Sequence, residues 1–209
     1  MSTTIYYPYS TLESVWNDYL SVVSFTASYI APGNTISRTV ISAARNTLKN
    51  GLDYVNASLL HYALHTEILN LQQGMKYEIV EHTDRPDIVL ENLLDGTRLG
   101  VEVTHLFYDS DEARFILGRS HEQVHPPEYI EEYIRRLNAL LQQKSEKAKG
   151  YSHEYPLALL IRVVSPLFHM LNFKAYESRI VVPSSDFKII WLLFYDFLER
   201  RWTLLKQLR

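Results

Sequence analysis

From Arg85 to Thr104 the chain sets two short apolar runs around a turn: Pro86-Asp87-Ile88-Val89-Leu90, then Asp95-Gly96, then Leu99-Gly100-Val101-Glu102-Val103-Thr104. Asp-Gly between apolar runs is the strongest short-range signal of a β-hairpin. Successive strand side chains point to opposite faces. Arg98, Gly100, Glu102 and Thr104 therefore share one face of the second strand, and Leu99, Val101 and Val103 the other. Glu102 stands mid-strand between two valines, where an unpartnered charge costs several kcal/mol. If the hairpin folds back, Asp87 begins the neighbouring strand and comes near it.

The same patterning predicts the other elements. Ser10-Thr11-Leu12-Glu13 reads as a capping box opening a helix over 10–29. A second helix spans 35–50 and ends at Gly51; a third spans 54–73, capped by Asp53 and ended by Gly74. In the third, Val55, Leu59, Tyr62, Leu64, Ile68 and Leu71 keep a roughly helical period. After Gly74 the character changes. Residues 77–80 suit a strand, the hairpin follows, and 107–124 read as a loop with room for a short helix. A helix over 128–149 carries Ile130, Ile134, Leu137, Leu140 and Leu141 on one stripe. Residues 155–164 and 187–194 read as buried strands, 166–176 as a helix, and 201–208 as either a last strand or a short helix. The expectation is one domain of α/β class, with a helical region over 1–74 and a mixed-sheet core over 75–209.

Composition narrows the partners. The chain has 209 residues, 46% hydrophobic and 22% charged, with a net charge of −3. This is an ordinary globular balance with no global basic footprint for nucleic acid, so any such binding needs a local patch. Arg135, Arg136, Lys144, Lys147 and Lys149 make one at the end of the 128–149 helix. There are no cysteines, which excludes disulfides and thiolate–zinc sites and points to the cytoplasm. No secretory signal is visible at Met1, and the longest apolar run is too short to cross a bilayer, so no membrane partner is expected.

Two carboxylates brought close resist joint ionisation, so one of them should have a raised pKa. A divalent cation relieves the repulsion, and hard oxygen ligands suit magnesium or manganese over zinc. The same residues also fit a structural role, with Asp87 capping a turn and Glu102 paired to Arg85 or Arg98. His61 and His65 stand four apart, as do His121 and His125. That is zinc-ligand spacing, but eight histidines make such pairs common by chance.

Pro86-Asp87, a hairpin, then Gly100-Val101-Glu102-Val103-Thr104 resembles the PD-(D/E)xK nuclease superfamily, the restriction-endonuclease-like fold. The resemblance is to a branch whose third strand ends in Gly-(Val/Ile)-Glu-Val-Thr, and it covers about residues 67–151. It implies a restriction-endonuclease-like core, a mixed β-sheet flanked by helices. It implies Mg2+ or Mn2+ held by Asp87, Glu102 and the Val103 carbonyl, with Glu67 of the preceding helix completing the shell. The activity implied is hydrolysis of phosphodiester bonds, with DNA ahead of RNA as substrate. The oligomeric state stays open, a homodimer included. One position departs from the pattern: the usual lysine two residues after the glutamate is Thr104. In the branch resembled, a helix with two lysines followed by a tyrosine stands where Lys144, Lys147 and Tyr151 stand here. Lys144 or Lys147 would then supply the missing cation. The alternative is a nuclease-fold protein that has lost its chemistry and serves as a binding or assembly module.

Overall fold

A mixed sheet organises the chain. In this computed structural model the described residues are 3–5, 62, 65–66, 68–70, 72–112, 123–125, 128–151, 154–165, 168–196, 201–203 and 205–209. The helices expected over 10–29 and 35–50 lie outside them, as does much of the region over 1–74. Tyr62, His65, Thr66, residues 68–70 and residues 72–73 are helical, as the pattern predicts. Gly74, at φ 64°, ends that segment in the left-handed conformation glycine adopts without strain.

The strands are β1 (Thr3–Ile5), β2 (Tyr77–His82), β3 (Ile88–Asn92), β4 (Arg98–Leu106), β5 (Gln123–His125), β6 (Leu157–Val163), β7 (Phe187–Asp196), β8 (Arg201–Trp202) and β9 (Lys206–Gln207). Besides the helical residues before Gly74 and those at 110–112, the described residues form the helices α1 (Tyr129–Ala148) and α2 (Met170–Tyr176), the latter followed by a 3-10 turn over Glu177–Arg179. The main sheet runs β2-β3-β4-β6-β7-β8, with β9 also pairing β7. β2, β3 and β4 are antiparallel, β4, β6 and β7 parallel, and β8 and β9 antiparallel to β7. The open reading of 201–208 thus resolves as two short strands. β1 and β5 form a separate two-stranded antiparallel pair that the pattern did not reveal; three residues are too few for a period.

The hairpin forms about the expected turn, with Ile88 opposite Val101 and Leu90 opposite Leu99. Its turn holds Gly96 at φ 72°, and Asp95 Oδ1 accepts from Thr97 N at 2.9 Å. The connections from β4 to β6 and from β6 to β7 are parallel crossovers through α1 and α2.

Alternation divides the core between the two faces. Leu99 and Val101 of β4 join Ile88, Leu90, Ala158, Leu160 and Trp191 beneath Ile68 and Leu69 of the helical segment. Leu106 of β4 joins Leu157, Leu159, Ile161, Leu192 and Phe194 beneath α1 and α2. Every residue of β6 is buried, as a parallel strand covered on both faces requires. By the same alternation Glu102 faces the α1 layer.

Candidate functional site

Asp87 is set at its post by a short loop from β2 to β3. Thr83 N donates to the Asp87 carbonyl at 3.1 Å, and the Thr83 hydroxyl donates to the Pro86 carbonyl. The loop lies against Gly100, where a Cβ would stand 2.8 Å from Pro86 Cγ and 2.7 Å from Tyr155 Cε2. Only glycine lets the proline and the tyrosine ring approach the strand this closely. The β3–β4 ladder ends at Ile88 and Val101, one residue short of Asp87. Beyond that point the Asp87 side chain takes over as acceptor, and Val103 N donates to Asp87 Oδ2 at 2.7 Å.

Glu102 lies across from Asp87 on β4, 7% exposed. Its partner is Lys144, whose Nζ stands 2.6 Å from Glu102 Oε1. Lys144 comes from α1, whose buried positions include Leu137, Leu141, Ser145 and Ala148. Neither arginine suggested as a structural partner reaches Glu102. Arg98 pairs with Glu91 at 3.0 Å and with Glu81 at 3.2 Å, and Arg85 with Asp84 at 3.7 Å. Two phenols complete the group. The Tyr151 hydroxyl hydrogen-bonds Glu102, and the Tyr62 hydroxyl hydrogen-bonds Asp87. Tyr62 is read from the sequence only as one of the helix's apolar positions. The signal lay in its chemistry, because a tyrosine on a packed stripe brings a hydroxyl that needs a partner.

Asp87 has its pKa raised to about 6. Burial is the largest cause; the Val103 hydrogen bond opposes it, the Glu102 charge adds to it, and Lys144 and Tyr62 oppose it. Desolvation, more than the like-charge contact anticipated from the sequence, thus dominates. The Tyr151 phenol is also pushed up, first by burial and then by the Glu102 charge.

The structure brings together Asp87, Glu102, Val103 (through its N–H) and Lys144. Lys147 is exposed, one turn further along α1, and no ion pair or hydrogen bond of its side chain joins it to the site. Glu67 lies outside the described residues. Among the described residues no group of three or more His, Cys, Asp or Glu side chains is placed to hold a metal. Two carboxylates with spare oxygen lone pairs nevertheless fit magnesium, which needs one or two carboxylates and keeps several waters. Of the histidines, His65 is buried, His61 and His121 lie outside the described residues, and His125 is in β5.

Two polar groups missed from the sequence occupy the far ends of the parallel strands. Arg162 of β6 is buried, its Nη1 3.4 Å from Nε2 of His105 on β4. Glu112, fully buried, accepts from the Tyr129 hydroxyl and from Tyr108 N, and Tyr129 Oη lies 2.5 Å from Ser165 Oγ. Apart from the Tyr108–Glu112 contact, which is four residues apart, these contacts span 17 to 57 residues, beyond the reach of a local pattern.

No helix among the described residues is long and apolar enough to cross a membrane. Comparison of the chain with protein-family models, curated proteins and solved structures finds no match.

Proposed function

We propose that the protein is a divalent-metal-dependent nuclease with a restriction-endonuclease-like core, hydrolysing phosphodiester bonds of DNA in preference to RNA. The observation that carries this reading is the convergence of Lys144 on Glu102 beside Asp87, with Thr104 at the strand position where the resemblance expects a lysine. A cation supplied from α1 makes good that departure.

In this reading Asp87, Glu102 and the Val103 carbonyl hold Mg2+ or Mn2+. When bound, the metal would activate water and stabilise charge on the phosphate oxygens. The protein's own groups do the rest. Val103 N and the Tyr62 hydroxyl fix the Asp87 carboxylate, and Tyr151 orients Glu102. The Lys144 ammonium, almost enclosed, sets positive charge near the developing phosphate charge, where a preorganised donor acts most strongly. Substrate contact falls to a local surface. Arg135 and Arg136 are both engaged by Glu132, and Lys149 by Glu146, which leaves Lys147 as a candidate phosphate contact at that end of α1.

The test is cleavage of single- and double-stranded DNA and of RNA with Mg2+ or Mn2+, comparing wild type with Asp87→Asn and Lys144→Ala. Metal-dependent cleavage lost in both folded variants supports the reading. Absence of cleavage with retained nucleic-acid binding would favour the alternative, a nuclease-fold binding module, for which the missing strand lysine at Thr104 speaks.

A further inference from the structure

We propose that Lys144 is the resident counter-ion of the acidic pair, and that metal and substrate phosphate bind cooperatively because the phosphate draws this ammonium off Glu102. The inference rests on the metal-site reading above and assigns its order of loading. Lys144 Nζ lies 2.6 Å from Glu102 Oε1, and the two side chains are 13% and 9% exposed. The pair is therefore poorly screened by solvent salt. A carboxylate offers about four lone-pair positions. On Glu102 the ammonium and the Tyr151 hydroxyl use two of them, so a cation finds an oxygen to bind but meets a positive charge already on the same group. Magnesium–oxygen bonds of about 2.0–2.1 Å would bring the two cations close enough to repel strongly.

Lys144 can yield. It enters from a helix margin on a flexible stem with three donors; its ammonium hydrogen-bonds Glu102, and its charge also reaches Asp87. A phosphodiester oxygen beside Glu102 gives that ammonium a second anion. Moving towards it weakens the hold on Glu102 and lowers the repulsion that an incoming metal meets. Each ligand then improves the site for the other, and the coupling is reciprocal by thermodynamic necessity.

The experiment is a calorimetric titration of the full chain with Mn2+, with and without a phosphorothioate DNA oligonucleotide, on wild type, Lys144→Met and Lys144→Arg. Lys144→Met should bind Mn2+ about tenfold tighter or more, while Lys144→Arg, which keeps the charge, should stay near wild type. The oligonucleotide should tighten Mn2+ binding by wild type about fivefold or more and by Lys144→Met much less. Lys144→Gln serves the same comparison if Lys144→Met does not fold. Equal or weaker Mn2+ binding by the neutral variants, or equal tightening by the arginine variant, overturns the counter-ion role and leaves the metal site standing. No Mn2+ binding by any form, with or without DNA, overturns the metal-site reading itself.

Discussion

Lys144 Nζ and Glu102 Oε1, 2.6 Å apart, join a late turn of α1 to the middle of β4. This ion pair spans 42 residues of sequence and is a direct link between the helix layer and the acidic face of the hairpin. Breaking one side of such a pair leaves the other charge stranded. Replacing both with apolar groups is often neutral or better.

Lys144→Ala should therefore destabilise the fold by about 2–4 kcal/mol. Lys144→Met combined with Glu102→Leu should return to within about 1 kcal/mol of wild type. Urea denaturation of the single and double variants measures both. A double variant as unstable as the worse single one would show that the pair is not what the α1–β4 contact depends on.

The two α1 lysines should part company in a cleavage assay. Lys147→Ala should change the rate only a few-fold, because its side chain is exposed. Lys144→Ala should lower it about 100-fold or more, the usual loss when a preorganised charge-stabilising donor is removed. Equal losses in the two variants would mean that both lysines serve the site.

Asp87 makes stability depend on pH in a definite direction. Its pKa rises from 3.8 to about 6 on folding. The protonated form is thus the one the fold prefers, and the associated stability is full below the unfolded value and lost as pH rises through about 6. Asp87→Asn cannot ionise and escapes that loss. With a chelator present, its stability relative to wild type should improve by about 1–2 kcal/mol between pH 4 and pH 8, a figure discounted for the carboxyl's partial exposure. A difference that stays flat with pH would place the titrating group elsewhere.

Gly100→Ala should cost about 1–3 kcal/mol, because the new methyl meets Pro86 Cγ and Tyr155 Cε2 at under 3.0 Å in a packed site. Tyr155→Ala in the same chain should recover only part of it, since the proline ring cannot turn away. Thermal midpoints of the three proteins suffice to decide. Full recovery would mean that the tyrosine alone sets the constraint.

Local physics explains which parts were legible. The hairpin, the faces of β4 and the extent of α1 follow from turn residues and periods contained within a few residues, and each appears in the structure as expected. Lys144 was legible because it lies seven residues after Leu137, on the margin of a stripe the sheet covers. Lys147 shares the spacing but stands about 60° further round the helix, and that rotation takes it into solvent. Tyr62 could not be assigned to Asp87 because its partner arrives only when the helical segment docks over the β2–β3 loop. The Glu112–Tyr129–Ser165 and Arg162–His105 groups were invisible for the same reason: each assembles from distant elements.

Asp87 has two employments that can be told apart. Its Oδ2 ends the β3–β4 ladder by accepting the Val103 N–H, so the residue serves the architecture whether or not chemistry takes place. Lys144 and Glu102 have no such second duty in the ladder; an apolar pair could fill their space. On the proposed nuclease reading, a relative without catalysis would keep aspartate here as a strand terminator while lysine and glutamate drifted together toward methionine and leucine. The ion pair between helix and strand is thus a sharper marker of the proposed site than the aspartate is.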